Sequence, residues 1–440
     1  MSSKKKLKKS DTRAVTFNSF LSRTMVPLAI WNFLCLIYAL ISLTTVSKEV
    51  VFPSSYGDYL RGDLFYLLVQ GNFNNPYAFH PEIPNLRNQP YLPFPYLIIE
   101  LLGIEITDFD HNFIWVHLTV LLMILPIVLV FYASTKALPF HLRLSITFAL
   151  AILSPSALYL FTTGNIQSLI IAGLLLGVLL FKNEEKFRGY LIASTAMIFA
   201  TKPQFAIFNA VYLIGSLKNF KSYVIGITFG VLISFFGLST FGNSPTSNVN
   251  YWLESLKVFV TSNPSFVVHN NISIVGNFSS IELYLSPERL DSLFFIRYAN
   301  LIALMTLLLL SYSIWKLSRI KNTLWLQSWL LVSALTLATP ISYAYNLGLF
   351  LIPIGILLWK TEERILFITN VLDSTLMKSS FTIMMILTFA TKPVRVWLVE
   401  GVADTNLFTM FNSLSLLFAL VLTYRFTKKD YSSKNKKYFA

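Results

Sequence analysis

The chain has very few cysteines, histidines and charged residues, and each shortage excludes a class of protein. Cys35 is the only cysteine, which excludes a disulfide within the chain and a cysteine zinc site. The five histidines show no metal-ligand spacing such as H-x₃-H. Only 13% of the residues are charged, whereas soluble domains carry about 25%. With 55% hydrophobic residues and a mean hydropathy of +0.61, the chain has more apolar surface than one soluble core could bury.

Long apolar runs recur along the whole chain, and many are long enough to cross a bilayer as helices. A span needs about 20 apolar residues, and the first run, 26–46, is too long for the apolar part of a signal peptide. We therefore expect an all-α polytopic membrane protein with about twelve transmembrane helices. They are predicted at roughly 26–46, 113–135, 144–162, 165–181, 189–201, 205–217, 222–240, 294–315, 324–338, 344–359, 378–391 and 406–424. The runs 189–201 and 205–217 are short, and either could belong to a bent hairpin that does not fully cross.

The basic residues are distributed as in the cytoplasmic loops of a membrane protein. The net charge is +14, but the charges lie in short clusters between apolar runs and at both ends, so nucleic acid is not expected as a partner. With the N-terminus inside, most lysines and arginines fall in inner segments. We therefore expect a multi-pass protein of the cell membrane with both termini in the cytoplasm.

The predicted organisation is a single transmembrane domain, residues 26–424, between two basic tails. The tails, 1–25 and 425–440, are expected to be disordered or to rest on anionic lipid. Two long outer loops cover about 47–112 and 241–293. In the first loop, residues 61–70 and 95–103 have helical spacing but are too short to span, which predicts interfacial helices.

Two acidic residues and one lysine stand out on the predicted outer side. Asp58 and Asp63, in YGDYLRGDLFY, could act as a general base, or they could cap a helix and pair with Arg61 in solvent. Lys202, in FATKPQF, contradicts the positive-inside trend. A lysine beside a helix-breaking proline could bind a phosphate, and the alternative is a side chain that reaches to the membrane interface.

Side-chain amides and a hydroxyl form two further outer clusters. Asn165 and Gln167, in TGNIQSL, could hydrogen-bond a sugar or could cap the turn between two spans. Asn271 and Ser273, in HNNISIVGN, could bind substrate, although the polarity of a loop is a sufficient explanation. Asn271 and Asn277 also match the pattern of N-glycosylation, which matters only in a eukaryotic secretory route.

All of these clusters fall on one side of the predicted membrane. A fifth, residues 340–346, opens a span with polar and aromatic side chains, for which an aromatic belt is the ordinary explanation. Clusters far apart in sequence but on one side indicate a single outward-facing site, whereas a transport path would place polar groups near the midplane. Asp108 and Asp110 form the D-x-D motif that holds a metal in glycosyltransferases using nucleotide sugars. Those enzymes need a soluble nucleotide-binding domain, so we interpret the pair as loop acids and predict no metal and no cofactor.

Taken in order, these motifs resemble glycosyltransferase family 87, whose members are membrane enzymes with the GT-C fold that use polyprenyl-phosphate sugars. The resemblance covers roughly residues 56–360, and the K-P-Q motif at Lys202, Pro203 and Gln204 matches fully. The first outer loop matches at Asp58, Tyr66, Gly71, 75–77 and 91–94. Residues 164–167 resemble a G-Q-x-N turn with the amides exchanged, and 271–273 match N-x-S. Residues 339–345 resemble S-P-x-S-W-x-H, with Tyr343 in place of Trp and Tyr345 in place of His.

The resemblance implies a GT-C-like helical bundle and a metal-independent, inverting hexosyltransferase similar to the mannosyltransferases that use polyprenol-phosphate mannose. Asp58, with Asp63 as the second choice, would take the proton from a hydroxyl of a glycolipid or glycan acceptor. Lys202 would bind the phosphate of the donor. Further substrate-binding candidates on the same resemblance are Gln204, Asn165, Gln167, Asn271, Ser273, Tyr343 and Tyr345. The site would face the extracytoplasmic side, and the lipid tail of the donor would lie among membrane lipid in a groove between spans.

Two other classes of function remain open at the level of the sequence. A lipid or glycan transporter without catalysis predicts that function is insensitive to Asp58→Asn and that polar groups line the midplane. A structural subunit of a glycan-assembly complex predicts that only surface contacts matter.

Overall fold

A computed structural model of the protein describes residues 2–45, 92–101, 113–163, 165–181, 183–213, 219–241, 244–261, 271–286, 293–338, 344–390, 395–399, 403–406 and 413–438. The chain forms two compact units. Unit 1 contains Met1–Pro53, Val128–Tyr159 and Ser265–Ala440, and unit 2 contains Ser54–Ile127 and Leu160–Pro264.

Helices make up nearly all of the described backbone. In the first half of the chain they are α1 (Ser2–Thr45), α2 (Phe94–Leu101), α3 (Phe113–Ser134), α4 (Phe140–Thr147), α5 (Pro155–Thr163), α6 (Gln167–Leu180), α7 (Glu184–Thr201), α8 (Pro203–Ala206) and α9 (Phe220–Thr240). In the second half they are α10 (Pro245–Thr261), α11 (Ile274–Leu285), α12 (Phe294–Arg297), α13 (Ala299–Ser318), α14 (Leu324–Thr336), α15 (Leu351–Trp359), α16 (Thr361–Phe367), α17 (Thr375–Phe389) and α18 (Ser415–Tyr438). Two π-helical segments, Phe148–Ile152 and Ile368–Leu372, continue α4 and α16, and 3₁₀ segments occupy Ile207–Tyr212 and Ala344–Phe350.

The described backbone departs from the predicted organisation at both ends and near residue 400. Helix α1 runs back to Ser2, and α18 runs on to Tyr438. The described part of each basic tail is therefore helical and continues the helix of the adjoining predicted span. Strands β1 (Arg395–Val399) and β2 (Ala403–Asn406) form an antiparallel hairpin. The all-α prediction therefore holds apart from this hairpin, and the last helix begins at Ser415 rather than near residue 406.

Among the described residues, three helical segments are long and apolar enough to cross a membrane: Val15–Ile37, Phe220–Thr240 and Ala299–Ser318. Shorter apolar helices occupy other predicted spans, and the total of about twelve is not confirmed. Helix α6 has 14 residues, which corresponds to a length of about 21 Å, shorter than the hydrocarbon core of about 30 Å. Helix α2 confirms the helical segment predicted at 95–103.

Several predicted spans are shortened because proline or irregular backbone divides them. The run 144–162 is divided after the π-helical segment, where Leu153 leaves helical geometry two residues before Pro155. The π segment frees backbone carbonyls that need other donors. The buried Asn32 of α1 supplies one, because its side-chain amide donates to the carbonyl oxygens of Ala149 and Phe389, each at 3.0 Å.

A cluster of aromatic side chains forms part of the core of unit 1. The ring of Phe367 lies 4.7 Å from that of Phe381 and 5.6 Å from that of Trp325. Phe17 of α1 meets Phe367 edge to face, with ring centroids 5.8 Å apart. Edge-to-face contacts of this kind add to the gain from burial, and they tie α1, α14, α16 and α17 together.

Helices α7 and α9 of unit 2 are packed closely through glycines. Gly226 and Gly230 have G-x-x-x-G spacing in α9, which lets two helix backbones approach each other. A Cβ atom added to Gly226 would lie 2.7 Å from Cβ of Thr195, and one added to Gly230 would lie 2.7 Å from Cβ of Phe199. Thr195 precedes Phe199 in α7 as Gly226 precedes Gly230 in α9. The two helices therefore run parallel.

A buried carboxylate caps α14 in unit 1. Glu363 accepts hydrogen bonds from the backbone N–H groups of Leu324, at 3.2 Å, and Trp325, at 3.4 Å. These two donors lie in the first turn of α14, where no partner exists within the helix. Burial raises the pKa of the Glu363 carboxyl, and the two backbone donors act against this rise.

We expect Glu363→Ala to lower the stability of the protein by about 1–3 kcal/mol, because two buried backbone donors lose their acceptor. Thermal unfolding of the purified chain in one detergent measures the effect. Glu362→Ala is the matched control, since Glu362 is exposed and adjacent. Equal melting temperatures for the two variants would contradict the capping role.

Candidate functional site

The predicted site residues fall into three groups according to where the structure places them. Asn165, Gln167, Lys202 and Gln204 lie in unit 2. Asn271 and Ser273 lie in unit 1, and so does Tyr345, of which the backbone is described in the 3₁₀ segment Ala344–Phe350. Asp58, Asp63 and Tyr343 lie outside the described residues, as do the loop acids Asp108 and Asp110.

Lys202 occupies the break between α7 and α8. Its backbone is extended, with φ −140° and ψ 92°, as expected for a residue that precedes proline. Its N–H still donates to the carbonyl of Ile198 at 2.8 Å, and its own carbonyl accepts from Phe205 at 2.9 Å. The side chain is 5% exposed, and Nζ lies 5.7 Å from the centre of the Phe205 ring. The break therefore holds a buried lysine, whereas the neighbouring Gln204 is exposed.

The segment before α2 lies directly beside this break. The N–H of Leu92 donates to the carbonyl of Thr201 at 2.9 Å, which satisfies one of the free carbonyls at the end of α7. Pro93 packs against α9, since a Cβ atom on Gly237 would lie 2.6 Å from Cγ of Pro93. The carbonyl groups at the end of α9 are bound by Asn248, whose amide donates to Leu238 at 2.9 Å and to Phe241 at 3.0 Å.

Asn165 and Gln167 form the turn that starts α6, and both are buried. Oδ1 of Asn165 accepts from the N–H of Gln167 at 2.8 Å, which caps the helix locally. Asn165 is 4% exposed and Gln167 is fully buried. The capping interpretation of the sequence is therefore correct for Oδ1 of Asn165.

Three helix ends with these residues lie at one end of unit 2. Helices α6 and α7 are antiparallel and joined by a short connection, and the hydroxyl of Tyr190 in α7 donates to the carbonyl of Gly173 in α6 at 2.7 Å. The start of α6 with Gln167 therefore lies at the same end as Lys202, which follows the last residue of α7. The parallel helix α9 ends there too. Lys202 and the amides of Asn165 and Gln167 therefore lie at the same end of unit 2, and their location on the outer side of a membrane stays a prediction.

The second group lies at the start of α11 in unit 1. Ser273 caps this helix, with its hydroxyl oxygen accepting from the N–H of Gly276 at 2.9 Å. Oδ1 of Asn271 accepts from the N–H of Ser273 at 3.0 Å. The N–H of Ile274 donates to the carbonyl of Leu337 at 2.8 Å, so this turn is attached to the chain that leads from α14 toward Tyr343.

Asn277 is a residue of this turn that sequence reasoning assigned only to glycosylation. It is 1% exposed, and its side-chain amide donates to the carbonyls of Ser273, at 2.8 Å, and Asn271, at 3.2 Å. Asn271 is also buried, at 3% exposed, so the asparagines of both sequons are enclosed in the folded protein. An asparagine four residues after a helix-capping serine was the signal that could have identified Asn277.

Gly276 is the second residue that the sequence reasoning missed. A Cβ atom at this position would lie 2.4 Å from Cγ of Asn271 and 2.6 Å from its Nδ2. Glycine is therefore required for Asn271 to fold back over the first turn of α11.

Among the described residues, no group of three His, Cys, Asp or Glu side chains is placed to hold a metal ion. The candidates in unit 2 are the amino group of Lys202 and the amides of Asn165, Gln167 and Gln204, and those with described side chains in unit 1 are the amide of Asn271 and the hydroxyl of Ser273. Such a set binds anions and sugar hydroxyls by charge and hydrogen bonds.

The model of glycosyltransferase family 87 matches residues 109–342 of the chain. No curated protein and no solved structure matches the chain. The matched segment contains Asn165, Gln167, Lys202, Asn271 and Ser273, and it begins after Asp58 and Asp63 and ends before Tyr343.

We expect Gly276→Ala to destabilise the protein by about 1–3 kcal/mol, because the added methyl group displaces Asn271. Gly173→Ala is the control. Nothing lies within 4 Å of a Cβ atom at Gly173, so this change in α6 should be neutral or stabilising by up to about 1 kcal/mol. Thermal unfolding of both variants tests this, and a neutral Gly276→Ala would show that the turn tolerates a displaced Asn271.

Proposed function

The chain belongs to glycosyltransferase family 87, and from this premise we infer that it transfers a sugar from a polyprenyl-phosphate sugar to a hydroxyl of a glycolipid or glycan. The sugar is mannose or a similar hexose or pentose, and the reaction takes place on the extracytoplasmic side. The observation that carries the proposal is the buried Lys202 at the end of unit 2 that also holds Asn165 and Gln167, all three within the matched segment.

Lys202 is proposed to bind the phosphate of the donor. Lys202 is buried, at 5% exposed, and its Nζ atom lies 5.7 Å from the centre of the Phe205 ring, so its ammonium group would be held in a fixed place for a donor phosphate. As the bond between the anomeric carbon and the phosphate oxygen breaks, negative charge grows on the phosphate, and a fixed ammonium stabilises that charge most in the transition state. Lys202 therefore favours departure of the polyprenyl phosphate.

Asp58 is proposed as the general base, with Asp63 as the second choice. Its carboxylate takes the proton of the acceptor hydroxyl while the acceptor oxygen attacks the anomeric carbon. The bond to phosphate breaks on the opposite face, polyprenyl phosphate leaves with the electron pair, and the configuration inverts. The transition state has the oxocarbenium character of glycosyl transfer, and the step needs no metal.

The remaining candidates are proposed to bind sugar hydroxyls. Asn165 and Gln167 are positioned by the start of α6, and Gln204 is exposed next to Lys202. Asn271 and Ser273 are fixed by the cap of α11, and Tyr343 and Tyr345 belong to the segment that follows α14. A transporter is the less favoured alternative, since the family match is to transferases.

The test of this proposal is transfer of radiolabelled sugar from a polyprenyl-phosphate mannose to membrane lipid by the purified full chain. We expect Asp58→Asn to lower the rate by about 10²–10⁴-fold with donor binding retained, because a general base contributes that much. Asp63→Asn should leave the rate nearly unchanged. Loss only in Asp63→Asn would move the base by five residues, and activity in both variants would contradict a carboxylate base in this loop.

Lys202→Met, compared in the same assay, should lower transfer by about 10²-fold or more, since it removes a charge that stabilises the leaving phosphate. Lys221→Met is the matched control, because Lys221 is exposed at the start of α9. No transfer by the wild-type chain with a range of polyprenyl-phosphate sugars would overturn the proposed donor.

The proposed orientation, with both termini in the cytoplasm, can be tested by cysteine labelling. Cys35 is 4% exposed and is replaced by alanine to give a silent background. In this background, Gln204→Cys should react with a membrane-impermeant maleimide added outside cells. Lys321→Cys should react only after the membrane is permeabilised, because its basic loop is predicted to lie inside. The reverse pattern would invert the topology.

A further inference from the structure

Arg143 and Lys136 of unit 1 each make a cation–π contact with an aromatic ring of another element. The guanidinium of Arg143, in α4, lies 4.0 Å from the centre of the Tyr132 ring in α3. The ammonium of Lys136, just after α3, lies 4.4 Å from the centre of the Trp359 ring at the end of α15. The four residues Tyr132, Lys136, Arg143 and Trp359 are called the basic–aromatic surface below.

This arrangement differs from the cation–ring contacts elsewhere in unit 1. Lys316 lies over Tyr312 at 4.9 Å, and Arg319 lies over Trp315 at 3.8 Å. In both cases the ring belongs to the turn before the cation on α13, as expected for long side chains that cover neighbouring apolar surface. In the basic–aromatic surface each cation instead contacts a ring of a different element, so the fold positions each of the two charges.

The two charges are not neutralised by any described carboxylate. Arg143 donates to the carbonyl of Tyr132 at 3.5 Å, while its Nε atom is buried without a hydrogen-bond partner among the described residues. Lys136 is exposed. Cations on aromatic rings keep their charge and their remaining donors available, so this surface has the chemistry to bind an anion.

Apolar side chains continue from these charges along α4 and the π segment. Phe140 is 67% exposed, Leu144 36% and Phe148 45%. Their spacing of four residues places them in one stripe along the helix. An exposed apolar stripe that begins beside a cation fits an amphiphile with an anionic head and an apolar tail.

We propose that the basic–aromatic surface binds the phosphate of an anionic phospholipid of the bilayer, whose acyl chains lie along Phe140, Leu144 and Phe148. The aromatic rings fix the two cations at the depth of the headgroup, where Trp and Tyr are favoured. On binding, the exposed side chains of Phe140, Leu144 and Phe148 contact the acyl chains of the lipid rather than water. This lipid site is separate from the proposed transfer site, because its residues belong to none of the groups assigned to donor or acceptor.

The proposal is tested by native mass spectrometry of the full chain extracted from nanodiscs that contain phosphatidylcholine with a minority of phosphatidylglycerol. Wild-type protein should retain phosphatidylglycerol in preference to phosphatidylcholine. The double variant Lys136→Gln with Arg143→Gln should lower this retention about tenfold or more, since each basic residue near a membrane surface contributes measurably to binding of anionic lipid.

The matched control is the double variant Lys316→Gln with Lys321→Gln, which removes the same charge from elsewhere in unit 1 and should leave retention within about twofold of wild type. An equal loss in both double variants would show attraction by total charge and overturn the site. No preference for phosphatidylglycerol in wild type would also overturn it, and so would displacement of the lipid by an acidic peptide. A further double variant, Lys136→Arg with Arg143→Lys, changes both side chains but keeps both charges. It should retain most of the phosphatidylglycerol if charge rather than misfolding explains the loss.

Discussion

The structure depends on one requirement, that backbone N–H and C=O groups placed among apolar helices must find partners within the protein. Regular helix satisfies its own backbone, so the requirement bears on the places where helices end or change geometry. Asn32 bonds the carbonyls of Ala149 and Phe389, and Glu363 bonds the first N–H groups of α14. At the end of α9, the side-chain amide of Asn248 donates to the carbonyls of Leu238 and Phe241. A few polar side chains thus decide where helices can stop.

The candidate site follows from the same requirement. The end of α7 leaves carbonyls that Leu92 partly satisfies, and the extended residue before Pro203 is Lys202. The backbone N–H groups at the start of α11 have no partner within the helix. The side-chain oxygens of Asn271 and Ser273 accept hydrogen bonds from two N–H groups of this turn. Helix ends gather backbone donors, amides and a charge in an otherwise apolar chain, and these are the groups that recognise phosphates and sugar hydroxyls.

The sequence predicted the helical class and the apolar helices. It could not predict that the basic tails continue α1 and α18, since a run of lysines looks the same in a tail and in a helix. The hairpin of β1 and β2 was also missed, because the apolar pattern around residue 400 merges with the following span. Gly276 and Asn277 were not identified as parts of the site, because their roles depend on how Asn271 folds back, which spacing alone does not show.

The glycine contacts between α7 and α9 also restrict how unit 2 can move. Shear between packed helices occurs by side chains changing rotamer as one surface slides on another. Gly226 and Gly230 have no side chain to change, and they meet Cβ atoms of Thr195 and Phe199 on α7. We therefore expect α7 and α9 to slide little against each other, and Lys202 follows three residues after the contact at Phe199. A change of shape in unit 2 that separated α7 from α9 would have to break both glycine contacts together, so we expect these two helices to move as one body.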